Sequence, residues 1–283
     1  MVPYNVNYHR PESVSEVLDL MQQLGDDCKL IAGGHSLIPV MKLRLADPEN
    51  LIDIRNISTL TEISDQGDTL SIGACATHGA IANHPLVQEH VPMMAEAGQM
   101  VGDVQVRNFG TIGGSLAHAD PAADWPAVLM AADAIIHVQS KAGKRAVPAT
   151  GFFFGLYMTA LQDGEMIVSI EVPKSAANKH STYVKFPQPA SRFALVGCAA
   201  AVAKNGGSVS AAKIAFSGVS SKPFRDSGLE AALAGKALDA GSIDAATANA
   251  AAGVSIASDH YANEKYRKHL AGVYVKKALT ALA

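Results

Sequence analysis

The chain has 283 residues, 48% of them hydrophobic and 17% charged, and a formal net charge of −3. That length supports more than one hydrophobic core, and the weak negative charge without a basic tract argues against a nucleic-acid partner. No apolar run reaches the ~18 residues of a membrane-spanning helix, and Met1-Val2-Pro3-Tyr4-Asn5 shows neither the basic nor the apolar region of a secretory signal, so the expected location is cytoplasmic.

In chain order, residues 11–25 predict an amphipathic helix, because Val14, Val17, Leu18, Met21 and Leu24 recur at helical spacing and Gly25 ends the run. A strand at 28–31 leads into the glycine-rich segment Ala32-Gly33-Gly34-His35-Ser36, and 51–54 reads as a second strand. Residues 60–64 and 69–73 predict a hairpin around Asp65-Gln66-Gly67-Asp68. Thr77 reads as the N-cap of a helix at 79–83, and one longer helix is predicted over 86–100. A second glycine-rich segment follows, Thr111-Ile112-Gly113-Gly114-Ser115, and is expected to be a loop. Beyond it lie a helix at 125–131, a strand at 134–139 and a strand at 165–172 closed by Pro173. The polar stretch 174–180 suggests a domain boundary. Strands at 182–186, 195–203 and 208–216 predict an antiparallel sheet, followed by helices near 228–234, 242–252 and 264–282. Strand clusters separated from helices predict an α+β fold.

The two glycine segments carry the chemistry. Glycine lets backbone N–H groups crowd against an anion, since no Cβ blocks the approach. Two such segments suit a ligand with two phosphates. Neither is a G-x-G-x-x-G dinucleotide fingerprint or a P-loop. Cys28, Cys75 and Cys198 show no Cys-x-x-Cys spacing, and the ten histidines form no H-E-x-x-H pattern. No metal site and no catalytic nucleophile of the chain's own are expected.

These residues resemble the FAD-binding medium subunits of the molybdenum hydroxylases, a group that includes aerobic carbon monoxide dehydrogenase, xanthine dehydrogenase and bacterial N-heterocycle dehydrogenases. The likeness spans the whole chain and is greatest to the carbon monoxide dehydrogenase branch. It is carried by Tyr8-His9-Arg10-Pro11-Glu12-Ser13, by residues 32–37 with Lys42-Leu43-Arg44, by Arg107-Asn108-Phe109-Gly110 running into the second glycine segment, by Asp120 to Asp124, and by Tyr266-Arg267-Lys268-His269-Leu270-Ala271. The resemblance implies a two-part FAD-binding domain of the vanillyl-alcohol-oxidase and p-cresol-methylhydroxylase type over 1–176, divided near residue 56. A smaller α+β domain over 177–283 would follow.

The same resemblance implies that Ala32, Gly33, Gly34, His35 and Ser36, with Thr111, Ile112, Gly113, Gly114 and Ser115, cradle the FAD pyrophosphate, and that Asp124, Ile167 and Lys185 make further flavin contacts. Because the segments hold no Lys or Arg, N–H groups and the Ser36, Thr111 and Ser115 hydroxyls would solvate the anion. Lys185 would place a cation near the flavin ring. Plainer roles stand beside these: Asp124 as a helix cap, Lys185 as a surface strand residue, His35 as loop packing, Arg107 as a support of the second segment, and Phe193 either near the ring or in the core. Phe152-Phe153-Phe154 reads as domain packing.

By resemblance the chain is an electron-transfer flavoprotein in a complex. A large partner would hold the molybdenum cofactor, and a small partner two [2Fe–2S] clusters. Electrons would leave to an external acceptor, in a dimer of heterotrimers, with peripheral attachment at the inner face of the membrane as an added expectation. Carbon monoxide leads among substrates, with aldehydes, nicotine-like bases and purines open. A self-contained flavin oxidase, with His35 as a covalent attachment point, and a non-catalytic FAD-binding assembly protein are the alternatives.

Overall fold

The computed structural model describes residues 4–283; Met1, Val2 and Pro3, the start of the stretch read for a signal, lie outside the described residues. The chain begins with β1 (Asn7–His9), α1 (Val14–Leu24), β2 (Cys28–Ile31), α2 (Leu37–Lys42) and β3 (Asn50–Asp53). Ser13 caps α1 by accepting the Glu16 N–H, Gly25 ends it at φ 57, and its buried face carries Val17 and Leu18. The three strands form a parallel sheet in the order β1-β3-β2. Parallel neighbours need crossovers, and α1 supplies the one that leads to β2. The first glycine segment therefore leaves the carboxyl end of an edge strand. The short elements β1 and α2 have no counterpart among the sequence expectations.

The second part runs through α3 (Ser58–Thr61), β4 (Ile63–Asp65), β5 (Thr69–Gly73), α4 (His78–Asn83), α5 (Pro85–His90), α6 (Pro92–Met100), α7 (Val104–Phe109), α8 (Ile112–His118), α9 (Asp124–Ala131), β6 (Ile135–Ser140), β7 (Gly143–Pro148), β8 (Phe153–Gly155), β9 (Met158–Thr159) and β10 (Met166–Pro173). Five strands form an antiparallel sheet in the order β4-β5-β10-β6-β7. Three expectations are corrected. Leu60 lies in α3, so the hairpin strand begins only at Ile63. The single helix at 86–100 is two, broken at Val91, because Pro92 lacks an N–H and pushes the preceding residue out of helical geometry, to φ −145 and ψ 65. The second glycine segment is not a loop: Thr111 caps α8 by accepting the Gly114 N–H, so Gly113, Gly114 and Ser115 occupy its first turn.

The third part holds α10 (Ala176–Lys179), β11 (Ser181–Pro187), β12 (Ala194–Asn205), β13 (Ser208–Ser217), β14 (Phe224–Arg225), α11 (Ser227–Leu233), α12 (Ala240–Thr247) and α13 (Glu264–Ala281). Its sheet is antiparallel, in the order β11-β12-β13-β14. The small residues of β12 explain its burial on both faces. Ala199 and Ala201 join the core built on Trp125, Ile72 and Ile170. Val196, Cys198, Ala200 and Val202 join a separate core under α11 to α13. Helices α6 and α9 thus lie between the two antiparallel sheets, and the expected α+β architecture with a C-terminal antiparallel sheet and terminal helices is what the chain adopts. Arg267 of α13, 3% exposed, ties this part together: its guanidinium donates to the Leu195 and Gly218 carbonyls, both at 2.7 Å, and to Asp259 at 2.7 Å. No helix among the described residues is long and apolar enough to cross a membrane.

Candidate cofactor site

A cleft of about 850 Å³ opens where the three parts meet, within the range of cofactor sites. One wall is the 32–36 segment, which turns from β2 into α2 with Gly34 at φ 71. No carbonyl or side chain of the described residues accepts the N–H groups of Gly33, Gly34, His35 or Ser36. His35 folds back, its Nδ1 2.8 Å from the Gly33 carbonyl, and its ring stacks on Phe109 at 5.9 Å. A row of unclaimed N–H donors on a cleft wall is an anion-binding arrangement.

The facing wall is the second glycine segment, and the two walls meet at Phe109 and Gly110, just before that segment. A Cβ on Gly33 would lie 2.2 Å from the Phe109 oxygen, so only glycine allows this approach. At the second segment four of the five backbone donors are already spent: Ile112 N–H on Ala76 O, Gly113 N–H on Ala74 O, Gly114 N–H on Thr111 Oγ1 and Ser115 N–H on Thr111 O. The expectation that N–H groups of both segments solvate the anion is therefore narrowed at the second segment to the N–H of Thr111. Residues 33–36 offer four N–H groups, while 111–115 offers the Thr111 N–H, the Thr111 and Ser115 hydroxyls and close backbone approach. Arg107 donates to the Val101 and Gly102 carbonyls at 3.1 and 3.0 Å, which supports the turn before α7.

Of the remaining expected contacts, Ile167 lines the cleft from β10, and Ile112 is fully buried beneath it. Asp124 also lines the cleft but caps nothing, since the residue before α9 is Ala123 and makes no side-chain cap. Its carboxylate instead accepts the Tyr183 hydroxyl at 2.5 Å and Lys185 Nζ at 2.9 Å. Burial pushes the Asp124 carboxyl above its ordinary range, against the opposing pull of Lys185 and Tyr183. Lys185 is not a surface residue: its side chain is 3% exposed. Its ammonium also donates to Met100 O and Arg192 O, both at 2.8 Å, so its three donors are all engaged. It sits behind Asp124, outside the cleft lining. Phe193, 41% exposed, projects into the cleft, Phe152 and Phe153 are buried, and Phe154 is exposed.

Sequence reasoning passed over several residues of the cleft. His78 lines it with its Nδ1 accepting the Trp125 indole N–H at 2.9 Å. At the mouth the His118 and Tyr157 rings lie 5.3 Å apart, and the Tyr157 hydroxyl is 3.5 Å from Asp120. The one available signal was the chain's single tryptophan, set between Asp124 and Pro126.

Anion-suited N–H groups, a glycine-only contact and a long cleft fit a dinucleotide, and the whole defines a flavoprotein of the two-part FAD-binding class. Residues 4–175 match the FAD binding domain in molybdopterin dehydrogenase, and residues 181–282 match the CO dehydrogenase flavoprotein C-terminal domain. The chain belongs to the FAD-binding family of the molybdopterin dehydrogenases. It is 42% identical over 281 residues to the carbon monoxide dehydrogenase medium chain of Hydrogenophaga pseudoflava, covering 99% of this chain and 98% of that one. It is 36% identical over 274 residues to the nicotine 6-hydroxylase medium subunit of Paenarthrobacter nicotinovorans, covering 97% and 96%. The solved carbon monoxide dehydrogenase of Hydrogenophaga pseudoflava that lacks the Mo-pyranopterin moiety superposes with a TM-score of 0.94 at 43% identity, over 99% of this chain and 98% of that one.

Proposed function

We propose that this chain is the medium subunit of a carbon monoxide dehydrogenase-type complex. It would bind FAD between residues 32–36 and 111–115, with Asp124 and Ile167 as further contacts and Lys185 acting through Asp124. A large partner would hold the molybdenum cofactor and a small partner two [2Fe–2S] clusters. The division into 1–176 and 177–283, with a further break near residue 56, belongs to the same reading. The unclaimed N–H row of residues 33–36 facing the second glycine segment is the observation that carries it.

Bound FAD supplies a store for two electrons, filled one at a time and emptied to an external acceptor such as a quinone, dioxygen or NAD. The chain's own residues bind and orient: residues 33–36 hold the diphosphate, Gly33 sets the spacing of the two walls, and Asp124 with Lys185 fixes the cleft floor. Three cysteines are fewer than the four of an all-cysteine [2Fe–2S] cluster, which supports placing the clusters in a partner. Free thiols at Cys28, Cys75 and Cys198 suit a reducing cytoplasm, with peripheral attachment at the inner face of the membrane and a dimer of heterotrimers as further parts of the proposal.

Carbon monoxide is the proposed substrate of the complex, on the likeness to the Hydrogenophaga chain. Anaerobic addition of carbon monoxide to the purified complex is expected to bleach the flavin absorbance. Bleaching by nicotine, an aldehyde or a purine, with carbon monoxide inert, would assign a different branch.

A further inference from the structure

His78 opens α4 beside its Thr77 cap and is 5% exposed. The Trp125 indole N–H, which can only donate, points at its Nδ1 at 2.9 Å. Nδ1 must therefore be bare, and the neutral ring carries its proton on Nε2. Burial, reinforced by the charges of His35 and Arg107, lowers the His78 pKa to about 4, so the ring is neutral in the cell. No group among the described residues accepts the Nε2–H, and Nε2 is not among the side-chain atoms sealed from solvent without a partner. His78 lines the cleft, so that donor is reached from it.

Its place in the cleft is specific. Nε2 lies 2.7 Å from where a Cβ on Gly110 would stand, and the Gly110 Cα lies 2.7 Å from where a Cβ on Gly33 would stand. The donor therefore packs against Gly110, the residue just before the second glycine segment, which itself packs against Gly33 of the first. Arg107 spends its Nη1 on the Val101 and Gly102 carbonyls, and the segments themselves hold no cation. Buried donors in native proteins are almost always paired; one locked in orientation and open only to a cleft is built for a bound acceptor.

We propose that His78 is a further cofactor-positioning residue, whose Nε2–H, oriented by Trp125, donates to the diphosphate of bound FAD beside Gly33 and Gly110. It supplies a neutral, directional donor to a dianion, and Trp125 keeps the proton on the nitrogen that faces it. The inference rests on the FAD reading of the cleft.

The test uses the complex purified with its partner subunits, stripped of FAD and titrated with FAD and separately with ADP, which carries the diphosphate without the flavin. His78→Gln retains an N–H near the Nε2 position, His78→Leu does not, and Trp125→Phe frees the ring. Loss of one charge-assisted hydrogen bond is expected to weaken both ligands about 10- to 100-fold in His78→Leu. His78→Gln should stay within about threefold of the unaltered complex, and Trp125→Phe should fall between them. Equal losses in the Leu and Gln variants would show a packing role only and overturn the proposal. So would a loss for FAD with ADP unchanged, or no loss at all. If His78→Leu fails to fold, the Gln and Phe variants decide: tight binding in Gln with weakened binding in Phe supports the proposal, and the reverse overturns it. Failure of the unaltered complex to bind FAD would instead overturn the FAD reading, and the inference with it.

Discussion

Asp124 and Lys185 form an ion pair at 2.9 Å beneath the cleft, with neither side chain more than 5% exposed. Lys185 reaches from β11 to Asp124 at the start of α9, and also holds Met100 O and Arg192 O. It thereby joins the second part of the chain to the third, and fixes the backbone next to Phe193. Removing one member of such a pair leaves a buried charge without compensation.

Lys185→Met is expected to destabilise the chain by about 3–5 kcal/mol, since Asp124 stays buried without its cation. Asp124→Asn in the same chain should restore part of that loss, because a neutral amide costs less to bury than an unpaired carboxylate. Urea unfolding of both single variants and the double variant measures the coupling. Additive losses would mean that the pair contributes nothing as a pair.

The contact between Gly33 and Phe109 predicts a sharp steric effect. In Gly33→Ala the new methyl would meet the Phe109 oxygen at 2.2 Å, so the two cleft walls must separate. A cost of about 1–3 kcal/mol in stability is expected, as for other overpacked contacts. A loss of FAD affinity above about tenfold should accompany it. Gly151→Ala, where a Cβ meets nothing within 4 Å, serves as the control and should leave FAD affinity unchanged.

The first glycine segment was legible because its residues and its geometry agree: a turn after a strand, a glycine at a close approach, and donors left free. The second misled because paired glycines are poor helix formers, whereas Thr111 capping and the fit of Gly113 against Ala74 hold them in a helix. For Lys185 the resemblance implied a flavin contact, with a surface strand position as the plainer role, and only the packing of the second part over β11 shows it buried against Asp124. The His78–Trp125 bond joins residues far apart in sequence, so no local pattern announces it. The break at Pro92 was legible in the residues and needed only the rule for the position before proline.

Acid sensitivity follows from His78. Its folded pKa is about 4 against 6.5 for a free imidazole, so between those values the unfolded chain binds a proton that the folded chain does not. Stability from the neutral ring is fully present above pH 6.5 and is lost as pH falls toward 4. Between about pH 7.5 and pH 4.5 the chain should lose about 2–3 kcal/mol more than His78→Gln, which has no group titrating there. Unfolding measured at both pH values checks this, and parallel losses in the two proteins would refute it.

Arg267 predicts a defect in the third part of the chain. Its guanidinium reaches the Leu195 and Gly218 carbonyls and Asp259 together. A lysine cannot span that fork, so Arg267→Lys should cost about 2–4 kcal/mol through buried carbonyls left unpaired. Thermal melting would show it, and a melting temperature equal to that of the unaltered chain would contradict the role given to Arg267.

The most direct test is the absorbance spectrum of the chain mixed with FAD and desalted, with and without the products of its neighbouring genes, before and after anaerobic addition of substrate. A flavin spectrum that is retained, and that bleaches only when the partner subunits and substrate are both present, is the predicted result. Bleaching by substrate with this chain alone would make it a self-contained oxidase, and no retained flavin in either preparation would contradict the assignment of the cleft.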